Sequence, residues 1–357
     1  MITIAWYRPA TGGQPGHALT IAVTSFTRLF FTVSGRYHRP MARQQYLLVL
    51  PVFFLAACIG FDSDGVQGDH HQYVTDRIVV PDGDAAVTSL GFDLDADGSK
   101  VDNAFGGALN VLPGVSSFFQ SAIDNSLTHG TVIVLADLQT KSLSDATDVG
   151  INLYLGSEPS TLPCQDTSDM VCAHHLDGQT SFLISPTSPI DTLLGGEIHG
   201  GRLAAGPGTI TLEMDIVSFL PPIRLDLVGA FVEGDVSDGK LVNGKLGGGI
   251  TQSQILGVLI PGVSAAIDTI IARDCPNGPP SCCTAGTAGA QLVATLDTSG
   301  DCAVGPIEIT LQVAPLFGLD VDLLDDTGNY NPGKDGARDA FSIGLGFSAI
   351  SASFTRP

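Results

Sequence analysis

The chain has 357 residues, 37 acidic side chains against 16 basic ones, and a formal charge of −21. Phosphate recognition needs a basic patch, so this balance leaves no place for nucleic acid as a partner. An acidic chain poor in aromatics can be disordered, but 44% hydrophobic residues and recurrent Val/Ile/Leu alternation argue for a core.

Residues 1–40 contain no Asp or Glu but carry Arg8, Arg28, Arg36 and Arg39. Their apolar patch, Ala18 to Val33, is interrupted by Arg28. They read as sequence upstream of a true start at Met41, or as an extended n-region, and in neither case as part of the fold. Arg43 and the apolar run from Tyr46 to Ala57 then have the form of a signal peptide over 41–57. The run is short of the roughly 20 residues of a spanning helix.

Leu55-Ala56-Ala57-Cys58 resembles the lipobox of bacterial prolipoproteins. The resemblance implies diacylation of the Cys58 thiol, cleavage before it, and stable attachment to a membrane through the lipid. Ile59, where an Asp favours inner-membrane retention, implies an outer-membrane lipoprotein facing the periplasm or the cell surface. All five N-terminal arginines precede Cys58 and every acid follows it, so the mature chain is more negative still, roughly −26.

The other cysteines suit that compartment. Cys164, Cys172, Cys275, Cys282, Cys283 and Cys302 are even in number and read as disulfides. Cys164–Cys172 would close a short loop. Cys282 and Cys283 are adjacent, which leaves 275–282 with 283–302, or 275–283 with 282–302. The spacing lacks the paired C-x-x-C of a zinc site.

Residues 58–86, with Gly, Asp and His70-His71 and little periodicity, read as a flexible tether. Residues 87–357 read as a single β-rich domain. It opens on Asp93-Leu-Asp95-Ala-Asp97-Gly98-Ser99-Lys-Val-Asp102. Alternate carboxylates on a tight loop with Gly at the sixth position converge as in an EF-hand-like calcium site. Asp93, Asp95, Asp97, Ser99 and Asp102 are the expected ligands of a structural calcium. Position 12 is Ala104 rather than Glu, so the loop is closer to shorter dockerin-like or thrombospondin-type loops.

Asp102 or Asn103 can cap a helix over Ala104 to Leu127, broken at Pro113-Gly114 and ended at His129-Gly130. Alternation then predicts strands at 131–138, 149–155, 180–184, 196–203, 209–216 and 223–236. A second helix is expected over 252–271. Further strands are expected at 290–296, 306–313, 319–324 and 339–349. Polar faces such as Thr209/Thr211/Glu213 indicate antiparallel pairing. The expected fold is mainly β: an antiparallel β-sandwich-like, β-rich α+β domain with two packed helices. Both helices carry Pro-Gly-Val-Ser, and similar stretches precede them (97–107 and 238–248), which suggests a weak internal duplication with halves 87–235 and 236–357. A second oxygen-rich loop, with Asp325, Asp326, Asn329, Asn331, Asp335 and Asp339, is a further calcium candidate.

The lipobox, the Asp-rich start, His174-His175-Leu-Asp-Gly, Gly200-Gly-Arg-Leu and the Asp-Gly-x-x-Asp-Ala ending together resemble a group of lipoproteins predicted from myxobacteria and their relatives. The resemblance implies location and carries no catalytic residues. The sequence has no G-x-S-x-G elbow and no phosphate loop. The leading expectation is a non-enzymatic, calcium-stabilised structural, adhesive or ligand-binding module with a protein or glycan ligand. A lipid- or glycan-binding module is the alternative. A secreted hydrolase built on His174 or His199 comes next; His174 and His175, adjacent on one strand, would face opposite ways.

Overall fold

Ten strands run in chain order: β1 Asp69–Val79, β2 Val134–Thr140, β3 Ala146–Ser157, β4 Ser181–Ile184, β5 Leu194–His199, β6 Arg202–Met214, β7 Ile223–Ser237, β8 Lys240–Thr251, β9 Ala340–Ser351 and β10 Ser353–Thr355. The structure, a computed structural model, describes residues 66–98, 101–111, 115–166, 168–190, 192–214, 222–312 and 314–356. The lipobox at Cys58, the segments 1–40 and 41–57, Ser99 and Pro113-Gly114 lie outside them.

Eight strands form a closed antiparallel barrel in sequential order, β1-β2-β3-β5-β6-β7-β8-β9, with β9 returning to β1. The closing seam between β3 and β5 pairs Val149 with Gly196 and Ile151 with Leu194. Closure removes the edges of an open sheet. The mainly-β, antiparallel reading therefore holds, and the sandwich is corrected to a barrel. In both architectures one face of each strand is buried, so alternation does not separate them.

The inward face is filled by side chains. Ile151, Leu194, Ile198, Leu203, Ile210, Leu225 and Leu227 are fully buried in one core cluster, each contributing about 1.5–3 kcal/mol relative to exposure. Parts of the outward face are covered as well. β4 and β10 lie over Val74, Leu135 and Tyr154 of β1–β3. Burial on both faces explains the near-continuous apolar run of β2.

The two ends of the barrel differ. At one end the strands turn tightly: 141–145 joins β2 to β3, Gly200-Gly201 joins β5 to β6, and Asp238-Gly239 joins β7 to β8. Both Gly200 and Gly201 have positive φ, as a two-residue hairpin turn requires. At the other end every connection is long. β1 leads to β2 through α1 Asp84–Leu90, α2 Ala104–Val111 and α3 Val115–His129. β3 leads to β5 through β4. β8 leads to β9 through α4 Gln252–Gln254, a π-helix Ile255–Leu259, α5 Ile260–Asp274, α6 Ala288–Leu296, α7 Pro306–Gln312 and a 3-10 turn Ala314–Phe317. Gln252–Asp274 is long and apolar enough to cross a membrane, by length and composition alone; here its Ile267 and Ile271 pack against Leu296, Val304 and Ile309.

Several expectations are corrected. Residues 69–79 of the expected tether are a barrel strand, with Tyr73 and Val74 almost fully buried; polar Asp69-His-His-Gln hid the strand. β8 lies outside the segments whose alternation predicts strands, because glycines 247–249 replace bulky residues and neighbours fill the space instead: Phe92, Leu227 and Leu323 crowd those backbone positions. Residues 290–296 and 306–312 are helical, not strands. Thr287 accepts the Ala290 amide at 3.3 Å and caps α6, while Glu308 accepts the Gly305 amide at 2.8 Å and closes a box at the start of α7. Residues 319–324 make only isolated bridges. The duplicated stretches adopt different structures, since Ala104-Phe-Gly-Gly is helical and Lys245-Leu-Gly-Gly is strand, and the boundary at 235/236 falls inside β7.

Candidate metal centre

The 93–102 loop hangs on the outer side of β8 and β9. It is pinched at its base by an antiparallel bridge in which Asp102 N donates to Phe92 O at 2.6 Å and Phe92 N to Asp102 O at 3.4 Å. Phe92 and Leu94 bury against Val321, Leu323 and Ala340. The Phe92 ring stacks on Phe231 at 5.7 Å and carries the Lys245 ammonium 4.1 Å from its centroid. Positive φ at Ala96 and Gly98 curls the segment between.

This fold of the loop brings Asp93, Asp95 and Asp102 together, with one carboxylate oxygen of each within 4.8 Å of the others. Each also holds a backbone amide. Asp102 Oδ2 accepts from Leu94 at 2.8 Å, Asp93 Oδ2 from Gly98 at 3.1 Å, and Asp95 Oδ1 from Asp97 at 3.2 Å. Burial pushes the Asp102 carboxyl up to about 6; the Leu94 amide opposes this, and the charges of Asp95, Asp320 and Asp93 add to it. A divalent cation would remove that penalty, and oxygen ligands of this kind suit calcium. The Asp97 carboxylate is not in the convergent group.

The 325–339 loop uses its carboxylates differently. Asp325 Oδ1 accepts from the Thr327 and Asn329 amides at 2.9 and 3.0 Å. Asp339 accepts from Leu323 and Leu324 at 3.1 and 2.8 Å, and Asp335 from Ala337 at 2.8 Å. The Asn329 amide donates to Thr327, and the Asn331 amide to Leu323 O. Among the described residues Asp325, Asp326, Asp335 and Asp339 do not form a second converging group. Asp320 was missed as a neighbour of the first loop. Its carboxyl, raised by burial, accepts from Ser342 N at 2.8 Å and Oγ at 2.5 Å. The signal was the pair Asp320 and Asp322 sharing one face of an otherwise apolar run.

The six cysteines pair as 164–172, 275–283 and 282–302, the last two being one of the two expected arrangements. The histidines are dispersed. His70 meets Asp137 at 3.0 Å, His174 meets Asp169 at 2.9 Å, and His199 meets Glu197 at 3.2 Å. His175 is buried against Phe182, and burial lowers its basicity. Asp177 caps the Gln179 and Thr180 amides, both at 2.8 Å. The space between α3 and the barrel lining is a cavity of about 30 Å³ bounded by Ile78, Ile123, Leu127, Val134, Leu212 and Leu345. A shallow groove of about 400 Å³ runs over Gly196, Ala204 and Gly206 on the outer wall, beside Phe231, Glu197 and Glu233.

Comparison with family models, with curated proteins and with solved structures finds no match.

Proposed function

We propose that this chain is an exported outer-membrane lipoprotein, anchored through Cys58, whose barrel is a rigid, calcium-braced scaffold that presents its elaborated end to a protein partner. The observation that carries this reading is the asymmetry of the barrel. Of the nine large apolar residues exposed among the described residues, only Val242 lies in a strand. Leu162, Met170, Val171, Ile190, Leu256, Ile307 and Leu311 lie on connections that leave the elaborated end, and Val101 lies on the 93–102 loop against the outer wall. Exposed apolar side chains concentrated on supported loops mark interaction surfaces.

A non-catalytic role is supported by His174, Asp169 and Asp177, which are spent on the architecture of one loop. The filled interior disfavours the lipid-carrier alternative, because the cavity of about 30 Å³ holds no acyl chain.

The test has two arms in cells expressing the full chain. Acyl-chain labelling should mark the wild type, and Cys58→Ala should lose the label and leave the membrane; retention of Cys58→Ala in the membrane would contradict the anchor. A photoreactive residue at Met170 or Ile307 should give a discrete adduct, and one at Val242 none. No adduct from either rim position, or the same adduct from all three, would contradict the presenting role.

A further inference from the structure

Asp322 has only 4% of its surface exposed. Its neighbours Val321 and Leu323 are fully buried in the cluster with Phe92 and Leu94, so the segment cannot turn Asp322 outward without unpacking them. Oδ2 accepts the Asp335 amide at 3.2 Å and the Gly336 amide at 2.6 Å. Oδ1 is buried and has no hydrogen-bond partner. A buried carboxylate oxygen without a donor is a rare and costly arrangement that calls for an occupant.

The surroundings indicate which one. The Asp322 carbonyl accepts the Gly333 amide at 3.0 Å. Gly333, at φ 65°, lies so close to the Asp95 carbonyl that a Cβ there would come within 2.6 Å of it. The turn 331–336 is thus clamped between Asp322 and the 93–102 loop. Residues 319–339 hold six aspartates against Lys334 and Arg338, so fixed positive charge is short. Hard oxygen donors and excess negative charge select a calcium-class ion over softer metals.

We propose that Asp322 Oδ1 ligates a second divalent cation, separate from the ion at Asp93, Asp95 and Asp102. Asp322 does not belong to that convergent group. This second ion ties the 331–336 turn to the body of the domain. It stands independently of the first site, and the two fail separately.

Native mass spectrometry of the full chain with calcium after chelation tests it. The wild type should carry two ions, Asp322→Asn one and Asp102→Asn one. A full wild-type count in Asp322→Asn, as when a buried water fills the gap, overturns the proposal, as does a single ion that both variants lose. One ion lost only by Asp102→Asn overturns this site and leaves the first. One ion lost only by Asp322→Asn overturns the first site and keeps Asp322 as a ligand. Should Asp322→Asn not fold, hydrogen exchange on Asp102→Asn decides: calcium should still slow exchange of the Asp335 and Gly336 amides, and exchange insensitive to calcium overturns the proposal.

Discussion

Asp102 carries opposed terms within one side chain. Its Oδ2 takes the Leu94 amide, yet burial and three acidic neighbours raise its carboxyl to about 6. A group whose folded value exceeds its unfolded one stabilises the fold fully below the unfolded value, and that contribution is lost as pH rises through the folded value. In chelator, therefore, the Asp102 contribution should decline as pH rises from 4 through 6. Two pH units correspond to about 3 kcal/mol at most, and about 1–2 kcal/mol after screening by solvent. Asp102→Asn should flatten this decline, raise the melting temperature in chelator, and shrink the gain from calcium to the part that the Asp322 ion supplies; melting curves at several pH values check all three. His175 has the opposite sign. Its folded value lies below the ordinary 6.5, so its contribution is present above that pH and falls away as pH drops below it. His175→Gln should weaken the acid-side loss of stability in urea titrations between pH 7.5 and 5. Asn103 was legible as a cap, and it does more: Oδ1 accepts from Gly106 at 3.1 Å and from Gly344 at 3.0 Å, while Nδ2 donates to Gly344 O at 3.1 Å. Asn103→Ala should cost about 2–4 kcal/mol in urea unfolding, because a buried cap and its cross-links to β9 go together.

At the level of elements, what the sequence made visible depended on whether a segment's partner was local. α3 ends at His129 with Gly130 at φ 66°, where the His-Gly pair indicates. β3, β7 and β9 show plain alternation. β8 did not, because three successive glycines are filled by other elements rather than by their own side chains. α6 and α7 carry Val, Thr and Ile that read as strand, and their helical state rests on Thr287, Glu308 and the bridges Cys275–Cys283 and Cys282–Cys302 around them. Replacing Cys282 and Cys302 together by Ser should cost about 3 kcal/mol by the loop-entropy estimate. The loss should be local: hydrogen exchange should quicken over 288–312 and stay slow in β6–β9. Equal acceleration in the barrel strands would show the α6–α7 region to be cooperative with the barrel.

For the whole molecule, closure was not legible because the seam joins β3 to β5 across an intervening strand, and only the register of Ile151 with Leu194 shows it. Both residues are fully buried. Ile151→Ala should cost about 2–4 kcal/mol through the cavity it leaves. The Asp93 motif was legible because its three converging carboxylates lie within ten residues, whereas Asp320 and Asp322 arrive from more than 200 residues away. In the proposed function, the acidic body, the disulfides and the carboxylate loop serve a chain exported to a calcium-containing compartment, with its packed barrel as support for one presenting end. The most direct test of a cation-braced barrel is calorimetry of the full chain in calcium and in chelator. Calcium at about a hundred times its dissociation constant should add about 3 kcal/mol through the 93–102 loop, raising the melting temperature by about 5–10 °C, reversed by chelator and lost in Asp102→Asn, which keeps only the gain of the Asp322 ion. A melting temperature that is the same in calcium and chelator would contradict it.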